Sequence, residues 1–184
     1  VPGLGELRNA ISKKFKRDNN LDYAADEIVA STGAKQTLSQ LLLTIVNPGD
    51  EVIVPAPYWV SYYQMVKMAE GTPIVIEATV DADFKVSAQQ VEEVITPKTK
   101  AFLFSTPCNP TGSVYSREEL AELVKVFEKY PEIMIISDEI YEHINFLGEH
   151  VSIGQFDSIK DRVVTVNGVS KGFAMTGWRV GYLG

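Results

Sequence analysis

The runs "EVIVP" (51–55), "KAFLFS" (100–105) and "EIMIISD" (132–138) are apolar without period-two alternation. Side chains of a strand face opposite sides of its sheet in turn, so a continuous apolar run needs cover on both faces. "EIVAS" (27–31), "TPIVIEA" (72–78) and "RVVTVN" (162–167) read as further strands. Between them lie stretches of helical spacing. Residues 33–47 open at Gly33 and close before Pro48-Gly49; 59–71 end at Gly71; 87–95 start on Ser87; 116–130 carry the capping pair Ser116 and Glu119. A further helix, 4–18, puts Leu4, Leu7, Ile11 and Phe15 on one face. Helices alternating with doubly covered strands predict an α/β fold: a mostly parallel sheet flanked by helices, with right-handed crossovers. The irregular stretches 79–86, 106–115 and 145–158 are loop-sized, so residues 1–184 read as one domain.

Composition narrows the function classes. The net charge of −7 offers no basic face for nucleic acid. No apolar run approaches the roughly 18 residues of a spanning helix. The start "VPGLGELRNAISKKF" lacks signal-peptide order. Cys108 is the single cysteine, which excludes an internal disulfide framework and points to a reducing compartment, the cytoplasm. Neither His143 nor His150 is spaced with Cys108 as zinc ligands are, and no G-x-S-x-G elbow supports a Ser137–Asp138–His143 triad. No metal is expected.

In a sheet of this kind ligands bind beyond the carboxyl ends of the strands. There the chain places Thr32-Gly33-Ala34-Lys35, then Ala56-Pro57-Tyr58-Trp59, then Cys108-Asn109-Pro110-Thr111-Gly112, then Asp138-Glu139-Ile140-Tyr141, and finally Gly168-Val169-Ser170-Lys171. Each residue has a bland reading. Lys171 alone is a solvated loop lysine and Arg179 a surface ion pair. Trp59 is a core aromatic, Tyr141 a rim tyrosine, Gly33 a plain helix cap, and Glu139 an exposed neighbour or a helix-dipole partner. The sharper readings converge. A partly buried lysine forms Schiff bases; an arginine fork and a glycine-opened helix start hold phosphate; tryptophan stacks on a flat ring; a carboxylate pairs with a ring nitrogen; a phenol donates to a phenolate. Together they describe pyridoxal 5'-phosphate.

"NPTG", "SDEIYEH" and "SKGFAMTGWRVGY" resemble the class I aminotransferases, bacterial aspartate aminotransferases above all, over essentially the whole chain. The resemblance implies the fold type I large domain and assigns roles. Lys171 carries the cofactor and shuttles the α-proton. Asp138 keeps the pyridine nitrogen protonated. Tyr141 and Asn109 share the phenolate oxygen, and Trp59 stacks on the ring. Gly33, Ala34, Lys35 and Arg179 hold the phosphate, with Arg179 reaching it from a following strand, "GWRVGYL", eight residues after Lys171. Trp59 and Asn109 also border the substrate. Gly168 stands where much of the family has a serine that touches the phosphate, and Cys108 where a polar residue is expected. Asn109–Pro110 and Ala56–Pro57 are expected to be cis.

The implied activity is ping-pong transfer of an amino group between an amino acid, aspartate or glutamate, and a 2-oxo acid. Lys35 is placed to meet the distal carboxylate. Aromatic or prephenate substrates, a β-lyase or decarboxylase, and a non-catalytic ligand-binding domain on the same scaffold are the alternatives. The resemblance also implies a homodimer, with the exposed aromatics of "YWVSYYQ" near its interface. The absence of an initiator Met and the end soon after Arg179 read as a cofactor domain from a longer protein, without its small domain and both chain ends.

Overall fold

In the computed structural model, which describes residues 1–184, the sheet takes the order β1-β7-β6-β5-β4-β2-β3. Its strands are β1 (Val29–Ser31), β2 (Glu51–Ala56), β3 (Thr72–Glu77), β4 (Thr99–Ser105), β5 (Met134–Asp138), β6 (Val163–Gly168) and β7 (Gly181–Leu183). The helices are α1 (Gly5–Asn19), α2 (Ala34–Ile45), α3 (Ser61–Met68), α4 (Ala88–Val94) and α5 (Arg117–Lys129). From β3 through β6 every pairing is parallel. β7 runs antiparallel to both β6 and β1. Strand order reverses direction between β2 and β4, which is where a crevice opens in such sheets.

The apolar runs supply both faces. In β4, Phe102 and Phe104 enter a core shared with α4 and α5, while Ala101 and Leu103 enter the core beneath α2 and α3. Ile135 and Ile136 of β5 divide the same way. A third cluster docks α1 at the sheet's other end: Phe15 is fully buried, edge-on to Tyr23 and Tyr182 at 5.2 and 5.5 Å. No helix is long and apolar enough to cross a membrane.

Local signals hold closely. Ser87 and Ser116 both close capping boxes, with Gln90 and Glu119. Ala56–Pro57 and Asn109–Pro110 are cis, and so is Thr106–Pro107, which was not anticipated. The helix read as 59–71 is shorter. It ends at Met68 because Glu70, not Gly71, turns left-handed (φ 61), and the Gly71 N–H then donates back to the Val66 carbonyl. The strand read as 27–31 begins at Val29. Within the stretch read as loop, Ile153–Gln155 forms a 3₁₀ turn with Ile153 wholly buried.

The last carbonyls of α5 have an unusual cap. Arg162 donates to the carbonyls of Phe127 (2.6 Å), Tyr130 (2.9 Å) and Ile133 (2.8 Å). Hydrogen bonds from a charged donor are worth more than neutral ones, and bare helix-end carbonyls are costly. Arg162→Met keeps the stem and removes the fork. It should lower unfolding stability by about 2 kcal/mol in urea titrations.

Candidate active site

The carboxyl ends of β4, β5 and β6, the start of α2 and the start of α3 enclose a cavity of about 310 Å³. Ala34, Lys35, Trp59, Asn109, Asp138, Tyr141, Lys171 and Arg179 all line it. Of the residues assigned from sequence to the cofactor, only Gly33 stays off the wall; it lies beneath the Arg179 guanidinium. Tyr62, Ser105, Ile140, Ser170 and Thr176 complete the lining. Lys35, Lys171 and Arg179 face a single acid, Asp138, so the cavity favours an anionic guest.

Asp138 is 3% exposed. Its Oδ2 accepts from the Tyr62 hydroxyl at 2.6 Å and its Oδ1 from the Ile140 N–H at 3.2 Å. Burial pushes the carboxyl up to about 6, the two donors pull against that, and neighbouring Glu139 adds to the rise. Burial and the Asp138 charge push the Tyr62 phenol well above its usual range, so it stays a donor. Tyr62 is itself 1% exposed. Of "YWVSYYQ", only Tyr63 among the aromatics is exposed, and it marginally so; the expectation of an exposed aromatic stretch is corrected by this inward turn of Tyr62.

Opposite Asp138, the Asn109 amide and the Tyr141 hydroxyl lie 3.5 Å apart. Lys171 Nζ sits 5.7 Å from the Tyr141 ring centre. Lys171 is exposed on the turn after β6, not partly buried as its flanking residues imply. The half-buried Trp59 meets Tyr62 edge-on at 5.6 Å, with Lys35 Nζ 4.8 Å from its ring centre.

The N–H groups of Ala34 and Lys35 have no partner within the chain, and no side chain caps this end of α2. Gly33 holds φ +87, and a Cβ there would overlap the Arg179 guanidinium. The guanidinium is aimed by the carbonyls of Thr176 (2.8 Å) and Thr32 (3.3 Å). Arg179 is not on the final strand, Gly181–Leu183, as the run "GWRVGYL" implied. It follows a 3₁₀ turn, Thr176–Trp178, and adopts a left-handed φ of 53 that swings it toward α2 ahead of β7. Free N–H groups plus a guanidinium at a helix start make an anion cradle.

Comparison with known proteins agrees with this arrangement. The family model "Aminotransferase class I and II" matches residues 1–184. The chain belongs to that family. It is 50% identical over 186 residues to the aspartate/prephenate aminotransferase of Nitrosomonas europaea, covering 100% of this chain and 47% of that protein. The crystal structure of aspartate aminotransferase from Rhizobium meliloti superposes with a TM-score of 0.98 at 42% identity, covering 100% of this chain and 46% of that one. That of Thermus thermophilus aspartate aminotransferase with maleate gives 0.95 at 43% identity, covering 99% and 47%. The chain thus spans about half the length of the curated relatives it matches.

Its departures from the family pattern now have places. A Cβ on Gly168 would stand 2.8 Å from the Val180 carbonyl and 3.1 Å from Ile140 Cδ1, so a serine does not fit there. Ser105, Ser170 and Thr176 instead bring aliphatic hydroxyls to the cavity wall. Cys108 turns away, its Sγ 3.5 Å from the Pro57 carbonyl, into a groove beside the cavity rather than into it. Glu139 is neither exposed nor a dipole partner. It is fully buried and accepts from Ser137 (2.9 Å) and Ser152 (2.7 Å), with His150 Nε2 at 2.8 Å. Glu142 lies beside it, so Glu139, Glu142 and His150 offer ligand atoms within 4.8 Å of one another. Lys14 of α1 already pairs with Glu142.

The Asp138 carboxyl sets a pH dependence. Its proton is held to about 6 in the folded chain and to ~4 in the unfolded one. The folded state therefore binds the extra proton across that window, and stability falls as pH rises from ~4 through about 6. Asp138→Asn should flatten this slope in urea midpoints. Tyr62→Phe removes a donor to the ionised form and should carry the falling limb to higher pH.

Proposed function

We propose that the chain is the cofactor-holding domain of a pyridoxal-phosphate-dependent aminotransferase that exchanges an amino group between aspartate or glutamate and a 2-oxo acid. One observation carries the reading: an amine, a fully buried carboxyl, a phenol beside an amide, and a bare helix start with a guanidinium all meet in one cavity. Bound there, pyridoxal phosphate supplies an aldehyde for the amino group and an aromatic ring that takes up electrons from the substrate's α-carbon.

The residues fit that group. Ala34 N–H, Lys35 N–H and Arg179 form the phosphate end, with Ser170 and Thr176 on the wall. The Gly33 cradle is filled by Arg179 rather than by a side chain of its own. Ser105 Oγ is buried without a partner on the same wall, a free hydroxyl for a polar guest. Asp138 is the one acid available to a protonated ring nitrogen, and a cation beside it draws its pKa down, keeping it charged. Tyr141 and Asn109 are side by side, as one shared oxygen requires. Trp59 covers a flat face.

In this reading Lys171 does two jobs. Its amine would hold the cofactor, and, once displaced by the incoming amino acid, would serve as the base that takes and returns the α-proton. Lys35, poised over Trp59 at the cavity mouth, meets the distal carboxylate of a dicarboxylic substrate. The maleate complex of the Thermus thermophilus relative supports a four-carbon dicarboxylate. The aspartate/prephenate name of the Nitrosomonas europaea relative favours prephenate as a second acceptor. The residues that complete the substrate site lie, on this reading, in the half of the relatives that the chain does not span. A homodimer acting in the cytoplasm completes the proposal, supported by the family resemblance and the single free cysteine.

Borohydride reduction of the whole protein with pyridoxal phosphate, followed by peptide mapping, should place the phosphopyridoxyl group on Lys171. A label on any other lysine refutes the assignment. Lys171→Ala should lose the visible absorption band and at least ~100-fold in transamination, with the fold intact. Arg179→Lys keeps the charge without the fork and should weaken cofactor affinity more than turnover. If kcat/KM is far higher for a branched-chain donor than for aspartate, the substrate reading falls.

A further inference from the structure

We propose that His143 is a positioning residue for Lys171, acting through the turn on which the lysine sits; this rests on Lys171 as the cofactor-bearing lysine. Residues 171–174 are all exposed and carry few bonds of their own. The Ala174 N–H donates to the Lys171 carbonyl at 3.0 Å and Met175 to Val169 at 3.4 Å, while Ala174 is held left-handed at φ 53. Such a turn needs an external support to aim its lysine.

His143 supplies one from the neighbouring strand end. A Cβ on Gly172 would stand 2.9 Å from both Cβ and Cδ2 of His143 and 3.3 Å from its Cγ. The Phe173 ring meets the imidazole edge-on at 5.1 Å and 71°. The two residues that follow Lys171 therefore both rest on one imidazole. That imidazole in turn has its Nε2 3.1 Å from Glu142 Oε1. Glu142 is buried and bound by Lys14 and Asn19 of α1. The support thus runs from α1 through Glu142 and His143 to Lys171. Tyr141 leaves the same segment two residues earlier, so the phenol and the lysine are placed by one element.

The contact makes a reciprocal prediction. Gly172→Ala drives a methyl into the imidazole and should lower the rate at which Lys171 is modified by about tenfold, and His143→Ala in the same chain should bring it back to within about threefold of wild type. His143→Ala alone should lower the rate by about threefold, the level to which the double variant returns, while His143→Phe, which keeps a ring on Gly172 and Phe173, should stay near wild type. The rate is read twice in the whole protein by peptide mapping. One arm uses pyridoxal phosphate with borohydride; the other uses trinitrobenzenesulfonate on the cofactor-free protein, with thermal midpoints confirming the fold. If wild-type Lys171 takes no phosphopyridoxyl group, the cofactor reading fails and the trinitrobenzenesulfonate arm still decides the contact. A Gly172→Ala rate equal to wild type overturns the proposal. So does a double variant no better than Gly172→Ala, or a His143→Phe variant no better than His143→Ala.

Discussion

Asp138 ends β5 as an enclosed carboxyl group, and a carboxylate removed from water is costly unless donors replace the solvent. The fold brings two. The Ile140 N–H comes from the turn that follows the strand, and the Tyr62 hydroxyl comes from α3, which lies across β4 from β5. The second bond ties α3 to the middle of the sheet. Trp59 packs edge-on against Tyr62, so the face of the cavity is placed by the same bond that satisfies its acid. The donors do not fully cancel the effect of burial, and the carboxyl remains at about 6. The remaining deficit is what a cationic guest in the cavity can relieve.

Two more buried acids work in the layer behind. Glu139 gathers the hydroxyls of Ser137 and Ser152 and the imidazole of His150. Burial pulls that imidazole down, but the Glu139 carboxylate outweighs it and His150 ends above its ordinary range. Glu142 draws Lys14 and Asn19 inward from α1. One acid thus pins the chain returning from Tyr141 toward β6, and the other pins the first helix. Removing one partner of such pairs leaves the other charged and dry, so the cluster constrains position more strongly than it adds stability.

Much of this was legible in the sequence, for identifiable reasons. Runs such as "KAFLFS" announce a doubly covered strand because Phe102 and Leu103 are both apolar yet point opposite ways. Ser87 and Ser116 mark helix starts because the serine hydroxyl and the Gln or Glu side chain three residues later each accept one backbone N–H. The cavity residues were found because the strand ends collect them at one edge. Tyr62 was hidden for the opposite reason: at the start of an amphipathic helix, a core tyrosine and one that serves a carboxyl look alike. Glu139 was misread because a local pattern does not reveal that Ser152 and His150 fold back over it. Arg179 was set on a strand because "GWRVGYL" has strand-like residues, whereas its left-handed φ depends on the helix it must reach.

The spacing of Lys171 and Arg179 has a topological explanation. Every other strand pair between β3 and β6 is parallel, so its connection must cross from one end of the sheet to the other. β6 and β7 alone in this stretch form an antiparallel pair, with Gly168 directly opposite Gly181. The segment 169–180 therefore leaves and re-enters the sheet at one point, and whatever it carries stays at the carboxyl edge. An amine near its beginning and a guanidinium near its end are bound to face the same cavity. What remains is to bring the helix start to them. A Cβ on Gly181 would overlap the backbone of Gly33 and Ala34, so α2 begins in direct contact with β7. Reversing one strand and removing two side chains thus places the anion cradle and the lysine at a fixed separation, without any contact between Lys171 and Arg179 themselves.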